Sequence, residues 1–260
     1  MLAEKESLVA IHPYDPSVFN KLVDINETLN NLDDEAWNLA SVLSRYGNDL
    51  MKVVGIARLH NHFPLKEEKL LMDPGKEAMT FEFRPARADS EDAKEAVPYM
   101  WKISLQEDNK VEVHPLQFLS KNAPAEIVSI LQDRSTKLLS NTKLLEEFAE
   151  ALKTAKLEDK LGLYVEYVDL MPGLTMKEGS SYNQLPDGYT LLETTDVEAR
   201  TQVMAVKSVS EVENFVNTHW RFYNEVVTEV GAGGIITHKC KKRCAHTSGC
   251  DNHSSWHETK

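Results

Sequence analysis

Hydrophobic positions change their period along this chain, and the changes divide it into blocks. Val18, Leu22, Ile25 and Leu29 recur at helical spacing and define one apolar face. Asp33 or Asp34 then stands as a candidate N-cap ahead of Trp37, Leu39, Ala40, Leu43 and Tyr46, so an antiparallel helix pair is expected, ended by Gly47 and Asn48. Beyond it the apolar residues fall in short runs with strand propensity, at 52–62, 68–73, 79–84, 98–105 and 110–118. Pro64, Pro74 with Gly75, Pro85 and Pro98 punctuate these runs. Residues 86–96 are charged and poor in apolar side chains, which predicts an exposed and mobile connection.

Helical spacing returns over 123–157. Ile127, Val128, Ile130 and Leu131 are followed, after a polar gap, by Leu144, Leu145, Phe148, Leu152 and Ala155, with Ser140 or Asn141 placed to cap the second piece. Strands are expected again at 161–168, 189–195 and 200–207, with Pro172–Gly188 as a long surface loop. A short helix over Ser210–Val216 then leads into the strand-like Thr218-His219-Trp220-Arg221-Phe222. Strand runs and helices are segregated, without regular alternation. This predicts an α+β fold with a largely antiparallel sheet over residues 1–230, followed by a glycine hinge (Gly231, Gly233, Gly234) and a Cys/His-rich tail within 231–260.

Composition limits the function classes. Hydrophobic residues make up 42% of the 260, enough for a substantial core. A net charge of -12 argues against a nucleic-acid-binding body, because phosphate contacts need clustered positive charge. The exception is Lys239, Lys241, Lys242 and Arg243, which can steer an anionic partner, dock the tail on the acidic body or lower the pKa of adjacent thiols. No apolar run reaches the length of a membrane span, and the first residues lack the pattern of a signal peptide. An odd three cysteines at one end is not a secreted disulfide framework, so an intracellular, cytoplasmic protein is expected. The glycine-rich phosphate loops, GxSxG and HExxH are absent from the sequence, which disfavours a nucleotide cofactor and those hydrolase types.

All three cysteines and four of the nine histidines crowd into the final segment. Cys240, Cys244, His253 and His257 form a CxxxC followed by HxxxH, a set of thiolate and imidazole donors suited to Zn2+. Cys250 or His246 can replace either histidine; an unstructured tail, or a Cys240–Cys244 disulfide, are the alternatives. A second pair lies in Arg58-Leu59-His60-Asn61-His62-Phe63. On a strand His60 and His62 share a face with Arg58, and together they could chelate an ion such as zinc, iron or copper. His114 or His219 could complete a three-histidine site with an open position. Tyr164, Glu166, Tyr167 and Asp169 read either as pocket lining or as the two faces of an alternating strand.

Gly55, His60, His62, Glu67 and Gly75 resemble the first metal-binding motif of the cupins, with one-residue offsets at Gly55 and Gly75; the resemblance implies a metal site with His114 as a candidate for the remaining ligand. The order Leu59-His60-Asn61-His62-Phe63, Thr218-His219-Trp220-Arg221-Phe222 and a closing Cys/His segment resembles a group of uncharacterised proteins from filamentous fungi, which implies a fungal intracellular protein and no particular substrate. Two expectations follow. One is a non-catalytic metal-binding or interaction protein whose tail folds around zinc and whose partner is a small molecule or protein. The other is a metal-dependent enzyme of hydrolase, lyase or oxygenase type, with its ion on His60 and His62 and with Glu67, His114 or His219 completing the shell. In a third arrangement, His238 or Cys240 folds back to cap the His60 and His62 pair.

Overall fold

The structure is a computed structural model, and it describes residues 9–24, 31–61, 64–66, 69–73, 80–167, 190–195, 201–206, 215–222 and 235–241. Helix α5 (Ala125–Ser140) buries Ile127, Leu131, Ser135 and Leu138, a stripe four and then three residues apart. Ser135 is the polar member of that stripe, and its hydroxyl donates to the Pro98 carbonyl at 3.0 Å, so its burial leaves no polar group stranded. Helix α6 (Thr142–Ala155) starts where Asn141 accepts a hydrogen bond from the Leu144 amide at 3.2 Å. It ends at Lys156, held left-handed at φ 57°, where the Lys156 amide donates to Lys153 and the Leu157 amide to Leu152. That is a Schellman closure in which a lysine occupies the position usually given to glycine.

Preceding these are helices α1 (Pro16–Asn20), α2 (Asp33–Leu43), α3 (Asn48–Met51) and α4 (Glu91–Lys94), and strands β1 (Val9–Ile11), β2 (Val54–Arg58), β3 (Lys69–Asp73), β4 (Thr80–Arg87), β5 (Val97–Leu105) and β6 (Val111–Leu119). After α6 come β7 (Leu161–Val165), β8 (Thr190–Thr195), β9 (Thr201–Val206), β10 (Phe215–Arg221) and β11 (Ile235–Lys241). The pairings run β6, β3, β4, β9, β8, β11, β10, β2, β7, β5 and back to β6, a closed circuit to which β1 is attached at β6. All pairings among the described strands are antiparallel except β1 with β6, β3 with β6, and β8 with β11. This is the α+β fold with a largely antiparallel sheet.

Strands β2 and β7 are buried along their whole length, so helices alone cannot account for both faces. Ile56 is in register with Leu163 and with Trp220, whose indole N–H donates to Asp33 Oδ1 at 2.6 Å; this face meets α2. The opposite face carries Gly55, Ala57, Gly162, Tyr164 and His219. A Cβ on Gly162 would lie 2.3 Å from the Trp101 carbonyl oxygen, and one on Gly55 would lie 2.3 Å from the Tyr164 ring, so both strands need these glycines for close approach. The core gathers the buried stripes of α2, α5 and α6 with Ile56, Trp101, Ile103, Val111, Val113 and Leu163.

Several expectations change. The first helix is confined to Pro16–Asn20 among the described residues, with Asp15 as its cap, and residues 25–30 lie outside them. Asp33 does not cap α2, because its carboxylate accepts from Trp220 and from Asn217 Nδ2 (2.9 and 3.0 Å) and ties the helix to β10. The segment 86–96 is not an open connection: β4 runs to Arg87, Ser90 caps α4, and Ala93 is buried. The strand expected over 52–62 stops at Arg58. Residues 215 and 216, expected to end a helix, open β10. Residues 235–241, placed in the tail by composition, form a sheet strand, while Pro172–Gly188 and Gly231–Gly234 fall outside the described residues.

Candidate metal centre

On β6 the side chains alternate, Val111 and Val113 entering the core while Glu112 and His114 share the other face. Strand β1 lies parallel to β6 with Ala10 opposite Glu112 and Ile11 opposite Val113, and the next amide, that of His12, donates to the Val113 carbonyl at 2.9 Å. That bond sets the imidazole of His12 on the ring of His114, stacked with centroids 4.4 Å apart and planes 10° from parallel. The Glu112 carboxylate spans the two, with Oε1 3.6 Å from His12 Nε2 and Oε2 3.5 Å from His114 Nε2. One donor atom from each of the three residues lies within 4.8 Å of the other two, the one such His/Cys/Asp/Glu group among the described residues.

The side chains are 32% (His12), 24% (Glu112) and 16% (His114) exposed, so the group is reachable from solvent yet partly desolvated. Neither His12 Nε2 nor His114 Nδ1 has a hydrogen-bond partner. Burial, and then the neighbouring His12, push the His114 pKa below the ordinary histidine value, against an opposing pull from Glu112. The neutral imidazole thereby favoured is the ligating form. Gln106 Nε2 donates to Glu112 Oε2 at 2.9 Å and Lys110 Nζ stands 4.0 Å from Oε1, which orients the carboxylate. Lys102 lies opposite His114 in the β5–β6 ladder but is engaged by Asp159.

Two imidazoles and a carboxylate are a donor set taken by Zn2+ and by non-haem Fe2+. With bonds near 2.1 Å, donors around a tetrahedral ion stand about 3.4 Å apart, close to the two His–Glu separations. The stacked rings do not yet converge, since parallel planes aim their lone pairs in parallel. Chelation by both requires one ring to turn, and His12, the more exposed, has the freedom to do so.

Of the ligands expected from sequence, His114 belongs to this group. His60 does not: it sits just beyond β2, is buried, and its Nδ1–H donates to the Arg58 carbonyl at 2.9 Å. His219 is buried with Nδ1 3.1 Å from Thr218 Oγ1 and its ring edge-on to Tyr164 at 4.6 Å. Thus neither His114 nor His219 joins His60 in a three-ligand group among the described residues. Cys240 lies on β11 in register with Val216 and Glu193, and His238 in register with His219 and Leu191. One strand, β10, separates β11 from β2. His62, Glu67, Cys244, His246, Cys250, His253 and His257 lie outside the described residues.

Tyr164, Glu166 and Tyr167 are all buried, so the expected division into wet and dry faces does not hold. Glu166 instead stands 3.7 Å from Arg221, while Arg134 donates to the Glu166 carbonyl at 2.6 Å. Sequence reasoning missed His12 and Glu112. The Glu112-x-His114 spacing was available once 110–118 was read as a strand, but His12 carries no local signal, because a three-residue strand shows no period.

Comparison with known proteins returned no matching family model, no matching curated protein and no matching solved structure. Among the described residues no helix is long and apolar enough to cross a membrane.

Proposed function

We propose that this chain is a non-catalytic metal-binding protein of the cytoplasm and that His12, Glu112 and His114 hold one transition-metal ion, with Zn2+ the best match to the donor set. The observation that carries the reading is that one donor atom from each of the three residues lies within 4.8 Å of the other two while His12 Nε2 has no hydrogen-bond partner, since buried polar atoms ordinarily find partners. A structural rather than catalytic role is favoured because the ligands come from two paired strands, so that the ion would join one strand to another. Cys240, Cys244, His253 and His257 are proposed as a second, independent zinc site in the tail.

Metal analysis of the full chain, purified without chelator, tests this. A His12→Ala, His114→Ala double variant should lose about one equivalent of zinc and a Cys240→Ser, Cys244→Ser variant a different equivalent. The two losses should add. Shortening the chain to test the tail should stop after Lys241, because a cut at Gly234 also deletes β11. Metal content unchanged by the histidine double variant defeats the reading of this site.

A further inference from the structure

We infer that the ion at His12, Glu112 and His114 acts as a clasp, controlling whether residues 9–15 are docked on the sheet. The inference rests on the metal reading of this site and adds its consequence. Strand β1 is three residues long, pairs with β6 alone among the described strands, and leaves Ile11 54% exposed; besides that short ladder, the segment is held by Val9 and Tyr14, partly buried against the core, with the Tyr14 ring edge-on to Phe118 at 5.3 Å. The chain that follows is anchored independently. Phe19 and Leu22 are buried, Asn20 exchanges hydrogen bonds of 2.7 Å with Leu65 in both directions, and Asn61 donates to the Leu22 and Val23 carbonyls at 2.6 and 3.0 Å. Residues 9–15 can therefore lift while 16–24 stays in place.

The ligands divide along the same line. Glu112 and His114 are fixed on β6, whose long antiparallel ladder with β5 persists whatever β1 does. His12 alone comes from the other side, and its present contacts with the pair are a ring stack and a 3.6 Å approach to Glu112. The three-donor site exists only in the docked state. An ion that binds that state and not the lifted one shifts the docking equilibrium by a factor of one plus its concentration over Kd, about a hundredfold at a concentration of 100 Kd.

Hydrogen exchange on the full-length protein, read at the Ala10 and His12 amides with chelator, with Zn2+ and with Mg2+, tests the clasp, while calorimetry follows zinc binding in parallel. The His12 amide, bonded to Val113, should exchange about a hundredfold more slowly at zinc concentrations near 100 Kd. The Asn61 amide, bonded to Val23, should not change, and Mg2+, which prefers oxygen ligands, should have no effect. In His12→Gln, a substitution at a partly exposed position, the zinc response at residue 10 should vanish and one zinc-binding event should weaken, and Glu112→Gln should weaken the same event. If zinc binds to this site and exchange at 10 and 12 is unaltered, the clasp is overturned and the metal reading stands. The same holds if Glu112→Gln weakens that event while His12→Gln keeps the parent's affinity. If no zinc-binding event responds to His12→Gln or Glu112→Gln, the metal reading falls and takes the clasp with it.

Discussion

His114 is the residue on which protonation and metal compete. Its folded pKa lies below the ordinary histidine value because burial and His12 disfavour the imidazolium. The folded state then binds a proton less readily than the unfolded chain, so this group's stabilising contribution is complete above the unfolded pKa of about 6.5 and is lost as pH falls through the folded value. In chelator, the urea midpoint should therefore drop between pH 7.5 and pH 5, and the drop should be smaller in His114→Asn. An equal drop in that variant assigns the acid sensitivity to other groups. The same residue marks how far the site could be read in advance. Strand alternation identifies Glu112 and His114 as facing one way, and His114 was named as a ligand candidate on other grounds. His12 entered through a parallel pairing that no local pattern announces. His60 stands apart from that group: beyond the end of β2 at Arg58 its Nδ1–H donates to a backbone carbonyl, and His62, with which its spacing suggested chelation, lies outside the described residues.

At the scale of elements, legibility followed period and length. Helices α5 and α6, the Asn141 cap, and strands β5 and β6 fall within a residue or two of their expected limits, because long stripes and long ladders average out local ambiguity. Short elements did not. Strand β1 and helix α4 have too few residues for a period, and β11 was hidden by a composition that drew attention to metal ligation. One element carries a local conflict that can be relieved. Lys156 adopts φ 57°, a conformation costing a non-glycine residue about 1 kcal/mol, to close α6 over Leu152 and Leu157. Lys156→Gly should raise the unfolding free energy by roughly 0.5–1 kcal/mol, visible as a higher urea midpoint at unchanged slope. A lower midpoint would mean that the lysine side chain contributes more than its backbone geometry costs.

For the whole molecule, the decisive feature is the closed pairing circuit. Segregated strands and helices predicted the class, but not that β6 would border both β3 and β5, nor that β2 would be flanked by β7 and β10 from the far end of the chain. Non-local register is set by packing on both faces, and it leaves no signature within any one strand. The circuit also governs time. Joining β2 to β10 closes a loop of more than half the chain before the two strands become neighbours, and β6 must meet β3 in parallel as well as β5 in a hairpin. The β5–β6 hairpin and the α5–α6 pair can form from local contacts, while the ring waits on encounters between distant segments. Refolding by stopped-flow fluorescence of the four tryptophans should accordingly show helix and hairpin signals ahead of the burial of Trp220, with the last phase on the millisecond-to-second scale or slower. During that interval β2 and β10 expose unpaired backbone, so the yield of refolded protein should fall as its concentration rises, a vulnerability that ends only when the ring closes.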